Sequence, residues 1–173
     1  EQKLDEIVLR KTGMEIGPRP ELKPWREFLA HMQNAKDTVR IGLVGKYVEL
    51  QDAYKSINEA LFQAATYNNR KLDLQYIHSE KLTESNVEEK LSSMDGLIIA
   101  PGFGQRGVEG KFVALKYARE HDVPTFGICL GMQCMVIEYA RDVLGYKDAN
   151  STEMDVNTPH NVIDLMESQK CIS

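Results

Sequence analysis

One stretch constrains this chain more than any other: Pro124-Thr125-Phe126-Gly127-Ile128-Cys129-Leu130-Gly131-Met132-Gln133. Its first half is apolar and predicts the end of a buried strand. Its second half predicts a helix running to about Arg141. A strand that becomes a helix within one residue cramps the backbone at Cys129. Gly127 and Gly131, two residues to either side, let neighbouring elements approach where a Cβ would obstruct them. Gly-x-Cys-x-Gly is the cysteine counterpart of the Gly-x-Ser-x-Gly nucleophile elbow. The thiol then stands at a helix N-terminus, where unpaired N–H groups and the helix dipole favour an anion. The alternative is a small buried cysteine between packing glycines, and the surrounding sequence must decide.

The surroundings alternate between two periods. Val39-Arg40-Ile41-Gly42-Leu43-Val44 predicts a strand. Ala53 to Tyr67 predicts a helix whose apolar face is Ala53, Ile57, Ala60, Leu61 and Ala64. Leu72 to Ile77 alternates as an edge or half-buried strand would. Thr83 to Met94 predicts a second helix. Gly96-Leu97-Ile98-Ile99-Ala100 is a continuous apolar run, as in a central parallel strand. A helix from about Lys111 to His121 leads into the strand before Cys129, and Asn161 to Met166 suggests a further strand. Alternating strands and helices predict an α/β fold with a parallel sheet covered on both faces. Ligands in such sheets bind at the carboxyl ends of strands. Cys129 and the Pro101-Gly102-Phe103-Gly104 turn both fall there, which favours a functional cysteine.

The residues before Val39 belong to a different pattern. Lys3 to Arg10 predicts a helix stopped by Thr12-Gly13. Gly17 to Pro24 carries three prolines and predicts a stiff linker without helix. Trp25, Phe28, Leu29 and Met32 then recur at helical spacing.

Composition excludes several classes. The 173 residues suffice for one domain with a core, and the net charge of −5 argues against a nucleic-acid-binding surface. No apolar run approaches the roughly 18–20 residues of a membrane span. Glu1-Gln2-Lys3 does not open a signal peptide. Cys129, Cys134 and Cys171 have neither zinc nor redox spacing, so no metal is expected and a reduced, cytoplasmic setting fits best. Cys129 and Cys134 are five residues apart and fall on different helix faces.

Three motifs mislead. Gly102-Phe103-Gly104-Gln105-Arg106-Gly107 matches the dinucleotide fingerprint G-x-G-x-x-G. However, it follows the third strand, begins with Pro101, and is expected to be separated from its helix by Val108-Glu109-Gly110. Gly45-Lys46 is no P-loop, since Tyr47 stands where Ser or Thr is needed. His78-Ser79-Glu80 reads as a strand end, not as the base of a catalytic triad.

Phe126 to Gln133 resembles the nucleophile motif of class I glutamine amidotransferases. Further stretches resemble the CTP synthase family within that class. They are Val44-Gly45-Lys46-Tyr47 with Asp52-Ala53-Tyr54-Lys55-Ser56, Gly104 to Gly110, and Ala149-Asn150-Ser151-Thr152-Glu153. Glu1 to Val8 resembles the last helix of that family's synthetase domain.

The resemblance implies a three-layer α/β/α, flavodoxin-like fold. Residues 1–15 would end the synthetase (amidoligase) domain, 16–38 form a linker with a short helix, and 39–173 form the N-terminal part of the amidotransferase domain. It implies L-glutamine as substrate, with Cys129 as nucleophile and the N–H groups of Leu130 and the Gly102 turn as oxyanion hole. Gly102, Leu130, Gly131, Met132, Gln133 and Glu153 would hold glutamine, Glu153 meeting its α-ammonium. Arg106, Gly107 and Glu109, with Tyr54 and Lys55 near them, would form the loop that responds to the activator GTP. Ammonia would pass to a synthetase domain of the same protein, where ATP and Mg serve the amination of UTP to CTP. This domain itself would need no cofactor, and the whole enzyme would be a homo-oligomer.

Two departures from the family pattern stand out. The oxyanion turn, Pro101-Gly102-Phe103-Gly104, is one glycine shorter than the family's Pro-Gly-Gly-Phe-Gly. No His-Pro-Glu motif follows Cys129, and the sole downstream histidine, His160, sits at the start of a strand. The chain is therefore expected to be cut before its general base and inactive by itself. Two rivals remain: another class I amidotransferase, and a non-catalytic regulatory or assembly module.

Overall fold

A computed structural model describes residues 3–18, 21–50 and 52–166. Four parallel strands form the central sheet: β1 (Asp37–Gly45), β2 (Arg70–His78), β3 (Gly96–Ile99) and β4 (Thr125–Gly127). Their order is β2-β1-β3-β4. The helices are α1 (Leu4–Lys11), α2 (Lys23–Asn34), α3 (Lys55–Tyr67), α4 (Val87–Leu91), α5 (Val108–Glu120) and α6 (Leu130–Asp142). Two short strands, β5 (Asn150–Ser151) and β6 (Asn161–Ile163), pair in parallel outside the main sheet.

The layering follows from alternation along β1. Successive strand residues face opposite sides, and Leu43 and Val44 are both fully buried. Val44 joins Leu97, Ile99, Ala114, Leu115, Leu130 and Cys134 in the larger core, under α5 and α6. Leu43 joins Tyr54, Ile57, Leu74 and Ile98 in a smaller core, under α3. Helices therefore cover both faces, as the alternating sequence predicts. α2 packs on the outside of α3, with Phe28 edge-on to Phe62 at 6.4 Å.

Several boundaries differ from the sequence expectation, each for a local reason. α2 starts at Lys23, so Pro24 lies in its first turn; the missing N–H has no intrahelical partner there anyway. α3 begins at Lys55 and is turned from its expected face, so that Ala65 and Thr66 are buried while Ala60 and Ala64 are exposed. α4 is only Val87–Leu91. Asn86 ends the preceding turn, its side chain accepting the N–H of Thr83 and donating to the carbonyl of Lys81.

α5 begins at Val108 directly after Gly107, so Val108-Glu109-Gly110 are helical and do not separate the turn from its helix. Gly110 is a packing glycine: a Cβ there would lie 1.7 Å from the Ser79 carbonyl oxygen. One objection to the dinucleotide motif falls with that. The objection that the motif follows β3, with a proline opening the turn, stands. The expected strand over Asn161 to Met166 is shortened to Asn161–Ile163. Cys171 lies outside the described residues.

Candidate active site

Register places the two key turns side by side. Ile99 of β3 pairs with Gly127 of β4, so Pro101 and Cys129, each two residues further on, leave neighbouring strands at the same level. The N–H of Ile128 donates to the Ile99 carbonyl at 3.0 Å. Cys129 then caps α6 with φ 54° and ψ −112°. This conformation is disfavoured for any residue with a side chain and costs about 1–3 kcal/mol. The glycines around it explain how the strain is held. A Cβ on Gly127 would lie 2.5 Å from the Met132 nitrogen, and one on Gly131 would lie 2.1 Å from the Ile99 oxygen. The junction closes only because both are absent. Cys129 itself is exposed.

The predicted glutamine residues are partly gathered. Gln133 and Glu153 line one cleft of about 570 Å³ with Ser151, Thr152 and Asp164. The Gln133 carbonyl oxygen Oε1 is buried without a partner, a cost normally offset by a hydrogen bond. Gln105 Nε2 donates to the Met154 carbonyl at 2.7 Å, tying the loop after β3 to the turn that carries Glu153. Leu130 and Gly131 are buried beneath the elbow, while Met132 is 48% exposed. Leu130 opens α6, so its N–H is one of those the helix leaves without an acceptor.

The predicted loop residues are gathered less fully. Arg106 pairs with Glu80 at 3.3 Å and lies over the Tyr47 ring at 5.6 Å. Gly107 takes φ 75° at the start of α5, and Glu109 is exposed in its first turn. Lys55 is exposed at the start of α3. Tyr54, by contrast, is buried under Gly45, and its hydroxyl accepts the N–H of Tyr47 at 3.3 Å. It shapes the wall of the loop and offers no surface to a ligand.

The sequence model of the class-I glutamine amidotransferase family matches residues 49–170. This chain belongs to that family. It is 66% identical over 173 residues to a CTP synthase of Porphyromonas gingivalis (strain ATCC 33277) and 54% identical to a CTP synthase of Flavobacterium johnsoniae. Each alignment covers the whole chain and 32% of the relative. The chain thus spans about a third of the length of the curated relatives it matches. Among solved structures it is similar to a glutaminase domain of Trypanosoma brucei CTPS with bound acivicin. That match has TM-score 0.71 and 38% identity, over 76% of this chain and 51% of that one.

In a class I amidotransferase the nucleophile needs a base, and the four histidines of this chain are engaged elsewhere. His31 pairs with Asn69 at 2.7 Å, and His78 accepts the N–H of Glu80 at the end of β2. His121 stacks on Tyr117, with ring centroids 4.0 Å apart. His160 pairs with Asp148 at 2.8 Å and stacks on Tyr146 just before β6. His78 and His160 thus occupy the structural positions expected of them.

Two lysines have no role assigned from the sequence. Lys46 and Lys111 are buried beside the turn after β3. Lys111 could have been found, because it shares the apolar face of α5 with Val108, Ala114 and Leu115, three or four residues away. No helix among the described residues is long and apolar enough to cross a membrane.

Proposed function

We propose that this chain is the glutamine-hydrolysing part of a CTP synthase. It attacks the side-chain amide of L-glutamine with Cys129 and releases ammonia for the ATP-dependent amination of UTP. The observation that carries the reading is the backbone of Cys129, held at positive φ at a strand-to-helix junction with its side chain exposed. A nucleophile that must project from a strand-to-helix junction uses such strain.

In this reading the Cys129 thiolate adds to the amide carbon. The Leu130 N–H and the Gly102 turn receive the developing oxyanion. Gln133 and Glu153 fix the α-carboxylate and α-ammonium ends. A histidine must take the thiol proton and return one to the leaving ammonia. Since all four histidines here are engaged elsewhere, another part of the whole enzyme supplies it. Arg106, Gly107, Glu109 and Lys55 form the GTP-responsive surface, and ATP and Mg act in the synthetase domain.

The test is Cys129→Ala in the full-length enzyme. Glutamine-dependent CTP formation should fall about 10³-fold or more. Ammonia-dependent formation should stay within about twofold of the parent, because the thiol never touches UTP. Loss of both activities, or retention of both, would contradict the proposal.

A further inference from the structure

The turn between β3 and α5 is held at both ends by buried ammonium groups. Ala100 continues β3, its N–H donating to the Val44 carbonyl at 2.9 Å. Its own carbonyl accepts from Lys111 Nζ at 2.7 Å. Three residues later the Phe103 carbonyl accepts from Lys46 Nζ. Lys111 is 1% exposed and Lys46 is 6% exposed. Among the described residues neither has a carboxylate within ion-pair distance; Lys46 otherwise lies 5.3 Å from the centre of the Tyr47 ring. Two buried cations without an anion are costly, and a fold that aimed only at stability would replace them with apolar side chains.

Geometry shows what they hold. Between the two anchored carbonyls lie two peptide units, Pro101–Gly102 and Gly102–Phe103. Their N–H groups, on Gly102 and Phe103, donate to no acceptor among the described residues. The peptide before them has no N–H, because Pro101 supplies the nitrogen. Fixing the Ala100 and Phe103 carbonyls on lysines therefore sets the rotation of the two free amides between them. Gly102 has φ 152°, and a Cβ there would lie 3.1 Å from Lys46 Cε, so the lysine stem is packed directly against the turn.

We infer that Lys46 and Lys111 are positioning residues of the amidotransferase reaction, clamping the short turn so that the Gly102 and Phe103 amides face the oxyanion formed at Cys129. This inference rests on the proposed glutamine hydrolysis and deepens it: it assigns the donors in a turn one glycine shorter than the family's pattern. The charges add to the effect. Burial pushes the Lys111 ammonium below its ordinary value, and the positive charge of Lys46 acts in the same direction. Only an ionised Cys134 or Cys129, a thiolate and not a thiol, would oppose the shift. Negative charge arriving at Cys129 or on the oxyanion is thus the counter-charge that the resting site lacks.

The experiment compares Lys111→Met and Lys46→Met with the parent in the full-length enzyme, with Cys129→Ala as the reference for total loss. Three quantities are read: glutaminase kcat and KM, ammonia-dependent CTP formation, and the midpoint of thermal unfolding. Methionine keeps the stem and removes the charge and its hydrogen bond. Each substitution should lower glutaminase kcat by about 10–100-fold, as misaligned oxyanion donors do, and leave KM for glutamine within about threefold. Ammonia-dependent synthesis should be unchanged. The unfolding midpoint of Lys111→Met should be equal to or above the parent's, since an unpaired buried charge has gone. An unchanged kcat would overturn the inference. So would kcat and unfolding midpoint falling together, which would mark the lysines as structural. If Cys129→Ala itself kept glutaminase turnover, the proposed function would fall instead, whatever the lysines did.

Discussion

Cys129 and Cys134 lie on one helix, about one and a half turns apart, in opposite environments. Cys129 is exposed at the helix cap with φ 54°. Cys134 is fully buried in the larger core, and burial pushes its thiol up to about 11. The charges of Lys111 and Arg141 only partly offset that shift. At pH 8 the Cys134 thiol is therefore ionised in on the order of one molecule in 10³. Limited alkylation with iodoacetamide at pH 8, followed by peptide mapping, should label Cys129 at least about 100-fold faster than Cys134. Comparable rates at the two sites would mean that the α6 face is not buried as described.

Gly131 predicts a stability effect that no side-chain rotation can relieve. A Cβ there would meet the Ile99 carbonyl oxygen at 2.1 Å, which is backbone against backbone. Gly131→Ala should destabilise the fold by about 1–3 kcal/mol in urea unfolding. Gly17, with nothing within 4 Å and no positive φ, is the control. Gly17→Ala should lie within about 0.5 kcal/mol of the parent.

Glu138 is buried on α6, and Arg119 on α5 meets both of its oxygens, at 3.0 and 3.3 Å through Nε, with Nη2 at 2.8 Å from the first. Arg119→Met strands a buried carboxylate and should cost about 3 kcal/mol, measured by denaturant titration. The double change Arg119→Met with Glu138→Leu should recover most of that loss, because the charge and its partner leave together. A double variant as unstable as the single one would show that packing, not the stranded charge, sets the cost.

The fold was legible where periodicity was strong. The runs through Leu43-Val44 and Gly96 to Ile99, and the elbow from Phe126 to Gln133, each appear as the elements their patterns predict. The expected burial of the strand before Cys129 does not hold: β4 pairs on one side only, with β3, and Phe126 is 64% exposed. The positive φ of Cys129 follows from the same cramped junction. Glycine and proline were harder to interpret, because each has two physical uses. Gly110 looks like punctuation, yet sits inside α5 to admit Ser79. Pro24 looks like a break, yet occupies a helix's first turn. β5 escaped because a two-residue strand carries no period, and β6 is shorter than the run from Asn161 to Met166 suggests. In the site, Gln133 and Glu153 line one cleft, which their twenty-residue separation in sequence does not disclose. The lysine clamp did not emerge, since it depends on carbonyls at Ala100 and Phe103 that any residue would supply.

Cys129 as the nucleophile that meets glutamine is the claim on which the rest depends. Its most direct measurement is covalent trapping of the protein by a chloroketone analogue of glutamine, with the adduct located by peptide mass mapping. The account predicts one adduct, on Cys129, formed with saturable kinetics and slowed by added L-glutamine. An adduct on Cys134 or Cys171, or labelling of Cys129 that glutamine does not slow, would contradict it.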